Sequence, residues 1–222
     1  MNKVIAIIPA RGGSKGIPKK NIIDFCGKPL MAWSILQAKA TPQIDEVYVS
    51  SDSDEILDIS KSYGAVPIKR PDNMSGDTAT SEQSIKHCLS VIDIKPDIIV
   101  MLQATSPLRE KDELSKALIE FTENVDCMFS CCIATDMLMW NNTFTKSNYD
   151  FMNRGRRQDR KSDYIETGSF YMFRTEIIEK YNNRLGGRVR IYLQDLWQMF
   201  EIDTLEDLEL VKFLFKGRGL DK

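Results

Sequence analysis

The chain has very little that could bind a soft metal. Across 222 residues there is one histidine, His87, and five cysteines (Cys26, Cys88, Cys127, Cys131 and Cys132) with no C-x-x-C spacing. That supply argues against a zinc site, and the odd thiol count fits reduced cysteines in a cytosolic protein. Charge of one sign is not in excess either. Thirty Lys+Arg face 32 Asp+Glu for a net of −2, which excludes a globally basic nucleic-acid binder. A hydrophobic fraction of 42% excludes an acidic disordered chain. Long apolar runs are missing too: residues 4–8 are too short for a signal-peptide core, and no stretch approaches a membrane span. The expected location is cytoplasmic, with no membrane and no nucleic acid as partner. Internal repeats, a Walker A loop and G-x-G-x-x-G are also absent.

What is present is alternation. The run 4–8 reads as a strand buried on both faces, followed by a Gly-rich loop and a helix over 30–40. Strands follow over 46–50, 66–68, 97–102 and 126–133, with helices between them ending near Tyr63, Ile92 and Phe121. Gly64 is placed to cap the first of these helix ends. Residues 168–173, 189–193 and 197–202 read as late strands, with helices over 175–181 and 204–215. This order predicts an α/β fold with a doubly wound, mostly parallel sheet. Ligands in such sheets bind beyond the C-terminal ends of the strands, so the loops after Ile8, Val49 and Leu102 should carry function. Residues 135–162 depart from the pattern. A weak hairpin over 140–149 leads into a basic tract at 154–161, so one domain spans 1–222 with an insertion at about 135–165.

The loop over 9–21, Pro-Ala-Arg-Gly-Gly-Ser-Lys-Gly-Ile-Pro-Lys-Lys-Asn, carries three glycines and four cations and no acid. Glycines let backbone N–H groups approach an anion, and fixed cations neutralise a polyphosphate. An ordinary solvated turn does not need four cations in ten residues. Near the other end, Glu201 and Asp203 lie two residues apart, and at strand period they share a face from which both could reach one hard cation. His87 beside Cys88, and the vicinal Cys131 and Cys132, read as packing.

The stretch 7–21, the end of the first strand with its loop, resembles the signature of the bacterial acylneuraminate cytidylyltransferases. The resemblance continues in collinear order through Lys69-Arg-Pro71, Gly76-Asp-Thr-Ala-Thr-Ser81, Leu102-Gln-Ala-Thr-Ser-Pro-Leu-Arg109, Arg157-Gln158, Gly168-Ser-Phe-Tyr171 and Ile202-Asp-Thr204. It implies a nucleotide-diphospho-sugar transferase-like fold and transfer of CMP from CTP to the anomeric hydroxyl of a nine-carbon keto sugar acid. Mg²⁺ is the implied cofactor, with Mn²⁺ as a substitute, and pyrophosphate is released. A sialic acid-type acceptor is expected first, with legionaminic, pseudaminic or octulosonic acids as alternatives and a non-catalytic nucleotide-binding module as a remote one.

Residue by residue, the resemblance implies that Arg11, Lys15 and Lys20 hold the CTP phosphates and, with Asp203, carry the catalysis. Asn21 would bond near the α-phosphate and ribose. Arg70, Ser81 and the backbone at Ala10, Arg11 and Gly12 would complete the nucleotide site. Gln103, Thr105, Ser106, Arg157 and Tyr171 would meet the sugar acid. The residues alone also allow Ser106 as a helix cap, Arg70 as a surface arginine, Tyr171 as packing, and the basic tract as a solvated rim. Asp203 is the expected metal ligand, with Glu201 beside it where relatives commonly carry Asp. Thr167 stands where relatives often carry Asn. The insertion is expected to serve a homodimer by crossing a two-fold interface.

Overall fold

A computed structural model describes residues 2–221 apart from 77, 135, 136, 146, 161 and 162. Asp77 in the Gly76 motif, Thr135 at the start of the insertion, and Lys161 and Ser162 at the end of the basic tract therefore lie outside the described residues.

Strand β1 (Val4–Pro9) lies in the interior of the framework. Its alternating side chains serve two cores. Ala6 and Ile8 pack in one cluster with Met31, Ile35, Val49, Val100 and Met172, while Ile5 and Ile7 pack in another with Ile85, Cys88, Met101 and Phe173. Ile5, Ile7 and Ile8 are fully enclosed, each burial contributing about 1.5–3 kcal/mol. A helix on either face is therefore obligatory.

Helix α1 (Leu30–Lys39) follows, then β2 (Glu46–Ser51), α2 (Asp54–Ser62), β3 (Val66–Lys69), α3 (Ser81–Val91) and β4 (Ile98–Leu102). The chain continues through α4 (Glu113–Glu120), β5 (Cys127–Ile133), β6 (Tyr164–Arg174), α5 (Thr175–Tyr181), β7 (Val189–Gln194) and α6 (Leu205–Gly217). Among the described residues these strands form one seven-stranded sheet in the order β3-β2-β1-β4-β6-β5-β7. Strand β1 is parallel to β2 and β4, β2 to β3, and β5 to β7; β6 runs antiparallel to both of its neighbours. The α/β, doubly wound, mostly parallel expectation holds. No helix of the described residues is long and apolar enough to cross a membrane.

A third cluster locks the last helix under the first. Phe215 of α6 meets Phe25 and Trp33 edge-on at 5.0 and 4.7 Å, and Ile202 and Val211 are fully buried beside them. The indole N–H of Trp33 donates to the Phe25 carbonyl at 2.8 Å. Thr204 and Asp207 close a reciprocal capping box at the start of α6. This packing brings the C-terminal residue Asp203 to the N-terminal Gly-rich loop.

Three local expectations are corrected. Residues 197–202 are not a strand: Leu196–Met199 is a 3-10 turn closed by an Asp195–Gln198 capping box. The buried Gln198 amide donates to Glu113 and to the Leu108 carbonyl, so tertiary hydrogen bonds override the alternating pattern. The helix expected to end near Phe121 begins only at Glu113, because Asp112 sits at φ 61° and the Glu113 carboxylate accepts the Glu110 N–H. Among the described residues the hairpin at 140–149 is reduced to an isolated antiparallel bridge, Trp140 to Ser147.

Candidate active site

Beyond the C-terminal ends of β1, β2, β3 and β4 lies a cavity of about 550 Å³. Of the residues expected at the site, Arg11, Lys15, Lys20, Asn21, Arg70, Ser81, Gln103, Thr105 and Asp203 line it. Its walls come from four loops and the first turn of α3.

The Gly-rich loop is held in shape by specific partners. Ala10 N–H donates to the Ser50 carbonyl at 3.0 Å, and Gly12 N–H donates to Asp52 Oδ1 at 2.9 Å. These residues shape the backbone and do not themselves line the cavity. The buried Asn21 amide donates to the Arg11 carbonyl at 2.9 Å, closing the loop on itself. A Cβ at Gly16 would collide with the Asp203 carbonyl oxygen, so only glycine permits this approach. Across that contact, Lys20 Nζ meets Asp203 Oδ1 at 2.6 Å, with the lysine largely enclosed and the carboxylate 71% exposed.

Arg70 is the buried cation of the site, 4% exposed. Its Nε donates to Ser75 Oγ at 3.0 Å, a terminal nitrogen donates to Ser84 Oγ, and another lies 3.9 Å from Asp52 Oδ1. Burial pulls its pKa down, opposed by Asp52. The surface-arginine alternative is thereby overturned. Ser81 opens α3, whose N-terminal dipole faces the cavity beneath the Thr80–Gln83 capping box.

On the far side, Gln103 and Thr105 extend β4. Gln103 Nε2 donates to Glu201 Oε2 at 3.1 Å, and Thr105 Oγ1 lies 3.5 Å from the same oxygen. Arg109 fixes this loop from below. Its enclosed guanidinium donates to Ser34 Oγ (3.0 Å), Gln37 Oε1 (2.9 Å), the Gln103 carbonyl (2.9 Å) and the Ser169 carbonyl. Burial lowers its pKa to about 10, so it remains a cation at neutral pH.

Besides Ala10 and Gly12, four expected residues lie off the cavity wall. Ser106 is buried with its hydroxyl unpartnered, and it caps no helix, since α4 starts only at Glu113. Tyr171 is buried beneath the stacked guanidinium of Arg184, and its hydroxyl donates to Glu166 Oε2 at 2.9 Å. Burial, then Glu166, push its pKa up to about 12. Packing is therefore its role within one chain. Arg157 sits exposed in a 3-10 turn (Arg157–Asp159). Glu201 is turned onto Gln103 and Thr105, and the strand that was to align it with Asp203 does not form. Burial, then Asp203, raise its pKa.

The sequence reasoning missed Asp52, which holds both Gly12 and Arg70, and Ser75 and Ser84, which hold Arg70. The loop after Val49 was marked as functional, and its polar turn supplied the available signal. Ser84 had none, being a helix position chosen by the fold. His87 and the four buried cysteines stay outside the site, and burial raises the Cys88 and Cys131 thiols to about 12.

The donor set suits a hard cation. The exposed Asp203 carboxylate offers oxygen beside the cationic loop, and Mg²⁺ is commonly held by one or two carboxylates plus nucleotide phosphates. Among the described residues no group of three His, Cys, Asp or Glu could hold a metal without such phosphates.

Comparison with known proteins shows the family of the chain. A family model described as cytidylyltransferase matches residues 5–220. The chain is 34% identical over 226 residues to a pseudaminic acid cytidylyltransferase of Campylobacter jejuni, covering 96% of this chain and 97% of that one. It is 34% identical over 213 residues to an N-acylneuraminate cytidylyltransferase of Oncorhynchus mykiss, covering 93% of this chain and 48% of that one. Among solved structures, a CMP:2-keto-3-deoxy-manno-octonic acid synthetase complexed with CTP aligns with TM-score 0.73 at 17% identity, covering 97% of this chain and 99% of that one. A 4-diphosphocytidyl-2C-methyl-D-erythritol synthase from Anaerococcus prevotii aligns with TM-score 0.69 at 15% identity, covering 97% and 99%. At those identities the likeness is one of fold, the nucleotide-diphospho-sugar transferase type.

Proposed function

The chain belongs to the acylneuraminate cytidylyltransferase family and is a nucleotidyltransferase, and from that premise we propose that it transfers CMP from CTP to the anomeric hydroxyl of a nonulosonic acid, releasing pyrophosphate. The observation that carries this reading is the convergence of Arg11, Lys15, Lys20 and the buried Arg70 on one cavity, with Asp203 and Gln103 on its rim. Pseudaminic acid is the first acceptor to test. The relative bearing that name matches this chain over nearly its whole length, whereas this chain covers about half of the N-acylneuraminate relative. The sialic acid-type acceptor expected from sequence becomes the second reading.

The chain's own residues supply positioning and charge. Arg11, Lys15 and Lys20 face the triphosphate, where fixed cations stabilise the charge that builds on the α-phosphoryl group and on departing pyrophosphate. Arg70 and Arg11 face the base, with Ala10 and Gly12 shaping the loop behind them, and Ser81 stands at the dipole end of α3. The sugar hydroxyl attacks the α-phosphorus in line, so a new O–P bond forms as the bond to the β-phosphate oxygen breaks. Asp203 would hold Mg²⁺ (or Mn²⁺), which when bound neutralises the polyphosphate.

A homodimer belongs to the same proposal. The insertion exposes Met139, Trp140, Phe144, Phe151 and Met152, and a second copy covering them would bring Arg157 toward a neighbouring cavity. The test is pyrophosphate release from CTP with pseudaminic, N-acetylneuraminic, legionaminic and octulosonic acids in turn. Turnover is expected to be fastest with pseudaminic acid. Tight CTP binding with no turnover on any acid would leave a nucleotide-binding module instead.

A further inference from the structure

Two carboxylates lie two residues apart at the mouth of the site, and the structure gives them different partners. Asp203 lines the cavity, largely exposed, with one oxygen on Lys20 Nζ at 2.6 Å. Glu201 is partly buried and does not line it. Its Oε2 accepts Gln103 Nε2 at 3.1 Å and faces Thr105 Oγ1 at 3.5 Å. The intervening Ile202 is fully buried, and its N–H donates to the Thr105 carbonyl at 2.9 Å, which pins the segment that carries both carboxylates.

The Glu201 arm lies in a notch made for it. Gly168 has φ +66°, and a Cβ there would collide with Glu201 Oε1 and stand 3.1 Å from Gln103 Nε2. Gln103 is clamped along its backbone as well, its carbonyl accepting from Arg109 at 2.9 Å and its N–H donating to the Ser169 carbonyl at 3.4 Å. A carboxylate can only accept, so it selects the NH₂ end of the Gln103 amide. The Oε1 end is then the one left for the cavity that Gln103 lines.

We propose that Glu201 is a positioning residue, not a metal ligand. It holds the Gln103 amide with Oε1 toward the cavity, so the acceptor sugar is recognised there through an O–H or N–H donor, and Asp203 alone supplies protein carboxylate to the metal. The sugar half of this statement rests on the proposed cytidylyltransfer to a nonulosonic acid. The glutamate matters for its length. Aspartate at 201 keeps the charge but falls short of Gln103, whereas glutamine loses the charge and keeps an acceptor at the right reach.

Positioning and metal ligation therefore rank the variants oppositely. The experiment compares wild type with Glu201→Gln, Glu201→Asp and Asp203→Asn, reading KM for pseudaminic acid, KM for CTP, and Mn²⁺ affinity of the CTP complex by electron paramagnetic resonance. Glu201→Gln is expected to raise the sugar KM about threefold and Glu201→Asp about 30-fold, each leaving CTP KM and Mn²⁺ affinity within twofold. Asp203→Asn is expected to weaken Mn²⁺ at least tenfold. Mn²⁺ affinity lost in Glu201→Gln as in Asp203→Asn, or a sugar KM worse in Gln than in Asp, overturns the proposal. If the wild type turns over none of the sugar acids, the substrate reading fails while the Mn²⁺ titration still decides whether Glu201 is a ligand.

Discussion

The molecule has two cationic segments of similar composition and opposite circumstance. The loop at 10–20 leaves a buried strand and is fastened at almost every turn: to Ser50, to Asp52, through Lys20 to the Asp203 carboxylate, and by Asn21 to itself. The tract at 154–159 is exposed, and Arg156 meets Asp159 within it at 2.7 Å, both side chains open to water. Only the first faces the cavity. Positive charge acts on a bound anion in proportion to how little it must reorganise, so a fastened cation is worth more than a solvated one. Glycine and the preceding strand, more than the lysines, distinguish the two.

The largest break in that comparison is Lys20→Ala. It removes a fixed cation from the polyphosphate while costing the fold little, because its partner Asp203 is well exposed and such pairs contribute about 0–1 kcal/mol. A fall in kcat of about 10²–10³-fold with pseudaminic acid and CTP is expected, with melting temperature nearly unchanged. A loss below tenfold would show that Lys20 does not face the reacting phosphates. Gly16→Ala comes next. Its Cβ meets the Asp203 carbonyl, so the loop and the segment leading into α6 must part by roughly 1 Å to restore van der Waals contact. We expect a loss of about 10–100-fold in kcat/KM for CTP and about 1–2 kcal/mol in stability. Equal stability and activity would mean that the loop gains nothing from its contact with Asp203.

How much of this was legible follows the same division. Strand β1 and its loop were readable because their signals are local: a β-branched run and three glycines. Residues 197–202 were misread because Gln198 is held by Glu113 and Leu108 from a distant segment, which no periodicity records. The metal argument for Glu201 inherited that error, since it assumed strand alternation. Asp52 could be narrowed to its loop but not named, because its partners Gly12 and Arg70 meet it only through the β1–β2 register. Tyr171 was placed near the sugar by family motif, and the structure buries it behind Arg184.

The exposed tract allows the finest discrimination. Under the proposed dimer, Arg157 alone reaches a neighbouring copy's cavity, and Arg156 stays engaged with Asp159. Arg157→Ala should then raise KM for the sugar acid about tenfold and leave KM for CTP alone, the loss expected for one charge-assisted hydrogen bond. Wild-type specific activity should also fall on dilution, since the residue would be supplied in trans. Arg156→Ala should change neither constant by more than about twofold, because an exposed pair at i,i+3 is worth about 0.5 kcal/mol or less. If both substitutions cost the same, and salt erases the difference from wild type, the tract acts as a diffuse cationic field rather than through one contact. In that case charge without fastening would suffice at the sugar end of the cleft, whereas the nucleotide end requires both.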